Sequence, residues 1–326
     1  MALPQVSLIM TVRNEARSLP RLLDSVLMQT VLPEEVVIAD GGSTDGTPDI
    51  ARSYMDRLPL RLLEVPGANI SQGRNAAIKE ARHGIVAVTD AGVVLDPGWL
   101  EALTVPFEDE TVDIVAGFFV PEAGTAFETA MGATVLPSLD DVEPSTFLPS
   151  SRSIAFRKEA WESVGGYPEW LDYCEDLVFD MSLKEHGKRF VFAPEAAVHF
   201  RPRSTLRAFF RQYYLYARGD GKANLWRKRH AIRYVTYTAG PLLAAWALRH
   251  KEGLIGRLIL LTGVSGSAVY CRRPYMRLLP RLAPLSLKSK LYALSLVPLI
   301  RLTGDLAKMA GYPVGVIWRL RHPRRN

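Results

Sequence analysis

Apolar residues along this chain fall in short runs, each closed by a turn rich in glycine or aspartate. The run V-S-L-I-M-T-V over 6–12 reads as a buried strand. Leu19, Leu22, Leu23, Val26 and Leu27 then recur at helical spacing, which predicts a helix over 15–29. A second apolar run over 36–39 ends at Asp40-Gly41-Gly42, and Pro48 opens a helix over 47–55. A third strand is predicted over 60–65, a helix over 71–82 and a fourth strand over 85–89. Strands alternating with helices in this way imply βαβ units and a mixed, mostly parallel sheet flanked by helices. In such sheets ligands bind beyond the carboxyl ends of the strands. The segments 11–15, 40–45 and 90–92 all lie at those ends.

The pattern changes beyond residue 207. Residues 235–248 and 258–271 carry no charge, and each run is 14 residues long, short of the roughly 20 a spanning helix needs. Arg249, Lys251 and Arg257 lie between them. Two later apolar stretches, 291–300 and 302–318, are interrupted or separated by Pro298, Arg301, Asp305, Lys308 and Pro313. Helices lying in a membrane interface fit this pattern best. Two short spanning helices and a packed helical subdomain are the competing readings.

Charge sharpens the division. Residues 1–200 hold 15 Lys/Arg and 31 Asp/Glu, whereas residues 201–326 hold 25 and 3, so −16 and +22 combine into the chain's +6. A basic tail on an acidic domain points to a polyanionic partner, either nucleic acid or an anionic lipid leaflet. Trp226, Tyr234, Tyr237, Trp246, Tyr292 and Trp318 mix with the basic residues as interfacial anchors do. An anionic membrane surface is therefore expected, and nucleic acid is not. Cys174 and Cys271 cannot form a disulfide framework, and no basic stretch precedes the first apolar run. A reducing compartment and no cleavable signal peptide are the expectations.

Six segments carry candidate chemistry. T-V-R-N-E (11–15) puts a helix N-terminus, with open N–H groups, at a strand end; a plain turn capped by Asn14 fits equally well. In A-D-G-G-S-T-D-G (39–46), Asp40 can accept a base or ribose proton, and a tight turn built on Asx chemistry competes. Arg74, in S-Q-G-R-N-A-A-I, suits a diphosphate oxygen or plain solvation. Asp90 ends an apolar strand, where a carboxylate needs a partner such as a metal or a ribose hydroxyl. Glu175 and Asp176 are adjacent at a helix start, so one can face a cleft while the other caps or pairs. His199 ends a last apolar strand and suits a divalent metal or a structural role. Ser150, Ser151 and Arg152 either face the substrate or cap a helix. There is no G-x-x-x-x-G-K-[ST], G-x-G-x-x-G, C-x-x-C or H-E-x-x-H, so kinase, dinucleotide oxidoreductase and zinc hydrolase readings lose support.

Taken in order, these segments resemble the family 2 glycosyltransferases with a GT-A fold, over roughly residues 5–220. The pair S-L-I-M-T-V-R-N-E-A and V-V-I-A-D-G-G-S-T-D-G-T carries most of the resemblance. R-N-A-A-I, T-D-A-G with P-G-W-L, G-G-Y-P-E before E-D, and R-Q-Y-Y-L-Y-A-R-G complete it. The resemblance implies a GT-A catalytic domain over 1–220 and a basic, apolar helical region over 221–326. It implies sugar transfer from a nucleotide-diphosphate sugar, a UDP- or GDP-sugar, with inversion. Thr11, Arg13 and Glu15 would line the base and ribose pocket, Asp40 would contact the base, and Arg74 would lie near the diphosphate. Val12, Asn14, Gly41, Ala91 and Glu175 would complete the nucleotide-sugar site. Asp90 would contact ribose and metal, Asp176 would be the general base, and His199 would add a ligand to Mg²⁺ or Mn²⁺. The departure is Gly92, which stands where the D-x-D motif has its second aspartate. A nucleotide-sugar-binding pseudoenzyme or scaffold is the rival that this glycine motivates. Together with the tail, the resemblance implies work at the cytoplasmic side of the cell membrane on a lipid-linked or cell-envelope glycan acceptor.

Overall fold

The computed structural model describes residues 4–322. The chain forms two compact units, one from Met1–Glu122 and Leu139–Arg201, the other from Ala123–Ser138 and Pro202–Asn326. The boundary expected after residue 220 thus falls inside the second unit, and the units part at Arg201 instead.

The first unit holds β1 (Val6–Val12), α1 (Leu19–Leu27), β2 (Glu35–Asp40), α2 (Thr47–Ser53), β3 (Leu60–Glu64), α3 (Ile70–Glu80), β4 (Ile85–Asp90), β5 (Val93–Leu95), α4 (Trp99–Thr104) and β6 (Ile114–Pro121). After α5 (Ala126–Val135), which belongs to the second unit, come β7 (Ile154–Arg157), α6 (Lys158–Ser163), α7 (Glu175–Glu185) and β8 (Phe190–Phe200). The eight strands form one sheet in the order β3-β2-β1-β4-β7-β6-β8-β5. The first four run parallel; β7 enters antiparallel to β4, β6 is antiparallel to β7 and parallel to β8, and β5 closes antiparallel to β8. This is the mixed, mostly parallel sheet expected from the sequence.

The parallel strands are apolar on both faces because both faces are covered. Along β1, Val6, Leu8, Met10 and Val12 enter a core with Leu19, Leu22, Leu23 and Val26 of α1. Ile9 points the other way, into a core with Ala77 and Ile78 of α3 and Phe179 and Leu183 of α7. The strands end together. Thr11 lies beside Asp90 on one side and Ala39 on the other, and Val12 pairs with Asp40. The first helix begins at Leu19 rather than residue 15, since Asn14 has a left-handed φ of 57° and residues 15–18 form a turn onto the Glu15 carbonyl.

The second unit comprises α5, α8 (Leu206–Ala223), α9 (Arg227–Arg249), α10 (Leu254–Leu278) and α11 (Leu287–Arg321). Ala130, Met131, Phe209, Leu278, Ala293, Val297 and Ile300 form its core. Helices α8 and α11 approach until their backbones touch. A Cβ added at Gly221 would collide with the Tyr312 carbonyl, one at Gly311 with that of Tyr214, and one at Gly315 with that of Arg218. Small residues at these positions are what permit the approach.

The apolar runs of the tail are embedded in longer helices than their charge-free lengths imply. Helix α9 continues through Pro241, α11 through Pro298 and Pro313, and α10 through Arg272, Arg273 and Pro274. Leu254–Leu282 is the one helical stretch among the described residues long and apolar enough to cross a membrane, with a mean hydropathy of 1.5 over its apolar window. Most of that apolar stretch is exposed.

Candidate functional site

The ends of β1 and β2 carry two loops stitched to each other. The Ser43 hydroxyl accepts the Asn14 N–H at 2.8 Å, the Thr47 hydroxyl accepts that of Glu15 at 2.8 Å, and an Asp45 carboxylate oxygen accepts that of Ala16 at 3.1 Å. The Asn14 side-chain carbonyl accepts the Thr44 N–H at 2.8 Å in return. The N–H groups expected to face an anion here are therefore already bonded, and Asn14 is a loop staple rather than a helix cap. Asp40, only 3% exposed, accepts from the N–H groups of Gly42 and Ser43 and from the Ser43 hydroxyl. The Asx reading describes its contacts: it shapes the loop that follows it. Gly41 donates to the Val12 carbonyl at 2.9 Å. Thr11 and Glu15 are partly exposed and Arg13 is exposed at this same edge. Gly73 lets α3 approach it, as a Cβ there would meet the Thr11 methyl at 2.8 Å.

Arg74 is the centre of the arrangement. Asn69 caps α3 and forms a reciprocal capping box with Gln72, which fixes the start of the helix one turn before Arg74. The side chain is 2% exposed, and its fork is shared between two carboxylates. Nη1 donates to Glu175 Oε1 at 2.7 Å and Nη2 to Asp90 Oδ1 at 2.8 Å. The Tyr167 ring lies 5.3 Å below the guanidinium. Burial opposes the charge on Arg74, but Asp90 and Glu175 outweigh that and raise its pKa. Each terminal nitrogen donates to a protein carboxylate, so Arg74 positions the groups around it.

Helix α7 starts abruptly because Cys174 takes a left-handed φ of 64°, which turns the chain into the helix at Glu175. Glu175 is buried against Arg74, and its pKa is raised, first by burial and then by the adjacent Asp176 charge. Asp176 is partly exposed, and its Oδ1 accepts the Leu177 N–H at 2.8 Å. The pair divides as its helical spacing requires: Glu175 turns inward to an arginine, and Asp176 keeps access to solvent.

Sequence reasoning missed the supports of this centre. Asn75 accepts the Tyr167 N–H at 2.9 Å and the Trp161 indole N–H at 3.1 Å, and donates to the Tyr167 carbonyl at 2.8 Å. Gly166 has a φ of 79°, and a Cβ there would meet Asn75 Oδ1 at 2.8 Å, which accounts for the glycine in G-G-Y-P-E. Tyr167 stacks on Phe179 at 4.1 Å and hydrogen-bonds the Ser151 hydroxyl at 3.0 Å. Asp180, one turn beyond Asp176, is buried with Oδ2 unpartnered; burial and the Asp176 charge push its pKa well up.

The expected metal ligands are not gathered. His199 Nε2 lies 2.7 Å from Asp96 Oδ1, so its contact is Asp96 rather than Asp90. Asp90 already faces two guanidinium groups, with Arg152 Nε 3.7 Å from Oδ2. Among the described residues, no group of three or more His, Cys, Asp or Glu side chains has the arrangement to hold a metal ion. Water and donor phosphates can supply most ligands of a divalent cation, so the protein need offer only one or two carboxylates, and here the one at Asp90 already faces two guanidinium groups. This donor set, with glycine at 92, does not fit such a cation.

Two family models match the chain, glycosyl transferase family 2 over residues 7–160 and glycosyl transferase family group 2 over residues 85–303. A Haloferax volcanii protein named glycosyltransferase AglE is 29% identical over 59% of this chain and 65% of its own length. The O-antigen chain rhamnosyltransferase RfbN of Salmonella typhimurium is 24% identical over 64% of this chain and 70% of its own. The chain thus spans about two-thirds of the length of these relatives. Among solved structures, a Pyrobaculum calidifontis mannosyltransferase in complex with GDP-Man and Mn²⁺ shares the fold, at a TM-score of 0.56 and 19% identity over 99% of this chain and 89% of that one. S. aureus TarS 1-349 in complex with UDP-GlcNAc follows at a TM-score of 0.51 and 18% identity, covering 98% and 92%.

Proposed function

The chain belongs to the family 2 glycosyltransferases, and from that premise we propose that it moves a sugar from a nucleotide-diphosphate sugar to an acceptor hydroxyl, with inversion. Asp176 is the base. Its side chain stays partly exposed at the start of α7, beside a buried Glu175 that is tied through Arg74 to Asp90 at the end of β4. That chain of contacts carries the proposal. It links a base that solvent can reach to the strand ends where an α/β sheet takes its ligand.

In the reaction, the acceptor oxygen bonds to the anomeric carbon as the bond from that carbon to the diphosphate breaks. The acceptor proton passes to Asp176, and the electron pair leaves with the nucleoside diphosphate. General-base help of this kind supplies about 10²–10⁴-fold. The donor is a UDP- or GDP-sugar, the class bound in the two solved relatives. Thr11, Arg13 and Glu15, at the exposed edge beside Asp40, contact its nucleoside.

The same proposal puts the work at the cytoplasmic face of the cell membrane, on a lipid-linked or cell-envelope glycan. Two features support this: the +22 charge of residues 201–326 and the exposed apolar side chains of α9 and α10. The O-antigen relative bears a name of the same acceptor class.

Asp176→Asn tests the base directly. Transfer falls by at least about 10²-fold while the nucleotide still protects the protein against heat. A wild-type chain that binds a nucleotide sugar yet transfers nothing to membrane-extracted acceptors would instead be a binding scaffold.

A further inference from the structure

Nothing in the backbone requires a glycine at position 92. A Cβ at that position would meet no heavy atom within 4 Å, and its φ is outside the left-handed region. Crowding therefore does not explain the missing second carboxylate. What surrounds the remaining one does: Asp90 Oδ1 receives Arg74 at 2.8 Å, and Oδ2 faces Arg152 Nε at 3.7 Å. A divalent ion brought to Asp90 would be repelled by both guanidinium groups, and the carboxylate across Arg74, Glu175, is itself paired with that arginine.

We infer that Arg152 takes the place of a metal ion, binding the donor diphosphate beside Asp90, so that donor binding and transfer need no divalent cation. This rests on the glycosyltransferase reading. Arg152 is well placed for the task. Its backbone carbonyl accepts the Thr89 hydroxyl at 2.9 Å, which ties it to β4 one residue before Asp90. Its Nη1 donates to the Ser150 hydroxyl at 3.2 Å, and its guanidinium lies 5.0 Å from the Phe200 ring centre. At 3.7 Å its contact with Asp90 is an ion pair without a direct hydrogen bond. A diphosphate offers the guanidinium fork shorter, charge-assisted bonds. When the bond from the anomeric carbon to the diphosphate breaks, the electron pair goes to the diphosphate, and Arg152 offsets the charge gained there.

Calorimetric titration of the whole chain with UDP, GDP and the two monophosphates, in EDTA and in Mn²⁺, decides the matter. The preferred diphosphate binds equally well in both conditions. Arg152→Gln weakens the diphosphate about tenfold to hundredfold and leaves the monophosphate nearly unchanged, which damage to the fold would not do. Arg152→Lys, a gentler change, retains part of the diphosphate affinity. Gly92→Asp, for which there is room, gains affinity on addition of Mn²⁺. Wild-type binding that collapses in EDTA overturns the inference. So does an Arg152→Gln chain that loses both nucleotides equally or neither, or a Gly92→Asp chain indifferent to Mn²⁺. If no nucleotide binds under any condition, the glycosyltransferase reading falls, and this inference with it.

Discussion

In the sheet-bearing unit large apolar side chains lie inside, and among the described residues Met28, Leu32, Met55, Val105 and Leu139 are the exceptions. In the helical unit the proportion reverses. Leu242, Leu254, Leu261, Val264, Val269, Leu287 and many others face outward, several of them about 70% exposed. Charge follows the opposite course. The sheet unit buries an arginine between two carboxylates and keeps a net negative charge, whereas the residues beyond 200 are almost free of acid. The sheet unit is organised around its interior, which holds a polar centre in place. The helical unit turns apolar side chains and basic charge outward, the pattern on which its proposed membrane contact rests.

The most severe way to break the contrast is to empty the interior centre. Arg74→Ala leaves Asp90 and Glu175 without their counter-ion, and the expected cost is about 3–5 kcal/mol in the unfolding free energy measured by denaturant titration. A surface arginine would cost within about 0.5 kcal/mol, so a small value would remove Arg74 from its assigned position.

The exterior is tested next. Val264→Arg in α10 changes an outward side chain. If water covers that face, stability and fractionation barely move. If lipid covers it, as proposed, the change costs about 2.5–3.5 kcal/mol of insertion, and the protein shifts from the membrane pellet towards the soluble fraction.

The smallest effect returns to the interior. The pKa of Asp180 is raised by burial and by Asp176, so the folded chain keeps a proton that the unfolded chain loses at lower pH. Its contribution to stability therefore declines as pH climbs from the ordinary carboxylate range towards the folded value. Asp180→Asn removes that slope. The expected result is a Tm higher by a few degrees at pH 8 and nearly unchanged at pH 4, for a gain of roughly 1 kcal/mol. An equal shift at both values would mean that Asp180 is not protonated in the fold.

Much of the sheet was legible because its strands are uniformly apolar and stop at a polar residue; β2 ends at Asp40 and β4 at Asp90. The first helix begins four residues later than its composition implies, because the N–H groups of Glu15 and Ala16 are taken by Thr47 and Asp45 from another loop. Arg74 was visible as a site residue but not by role, since one of its partners, Glu175, lies 101 residues away. Asn75, Tyr167 and Asp180 left no local signal beyond the R-N and G-G-Y-P-E motifs themselves. In the tail, charge-free runs understated helix length. Arg272, Arg273 and the internal prolines sit within continuous helices, since the exposed flanks of a long helix tolerate charge at its ends.

The shared fork of Arg74 has a consequence for timing. One guanidinium serves as counter-ion to both Asp90 and Glu175, so a shift of one carboxylate is felt by the other. A donor that draws Asp90 away leaves more of the positive charge to Glu175, and so changes the field felt by its neighbour Asp176. By linkage the influence also runs in reverse, and a change of protonation beside Glu175 alters how firmly Asp90 is held. On the proposed mechanism, arrival of the donor at Asp90 is felt at Asp176, the group proposed to act on the acceptor.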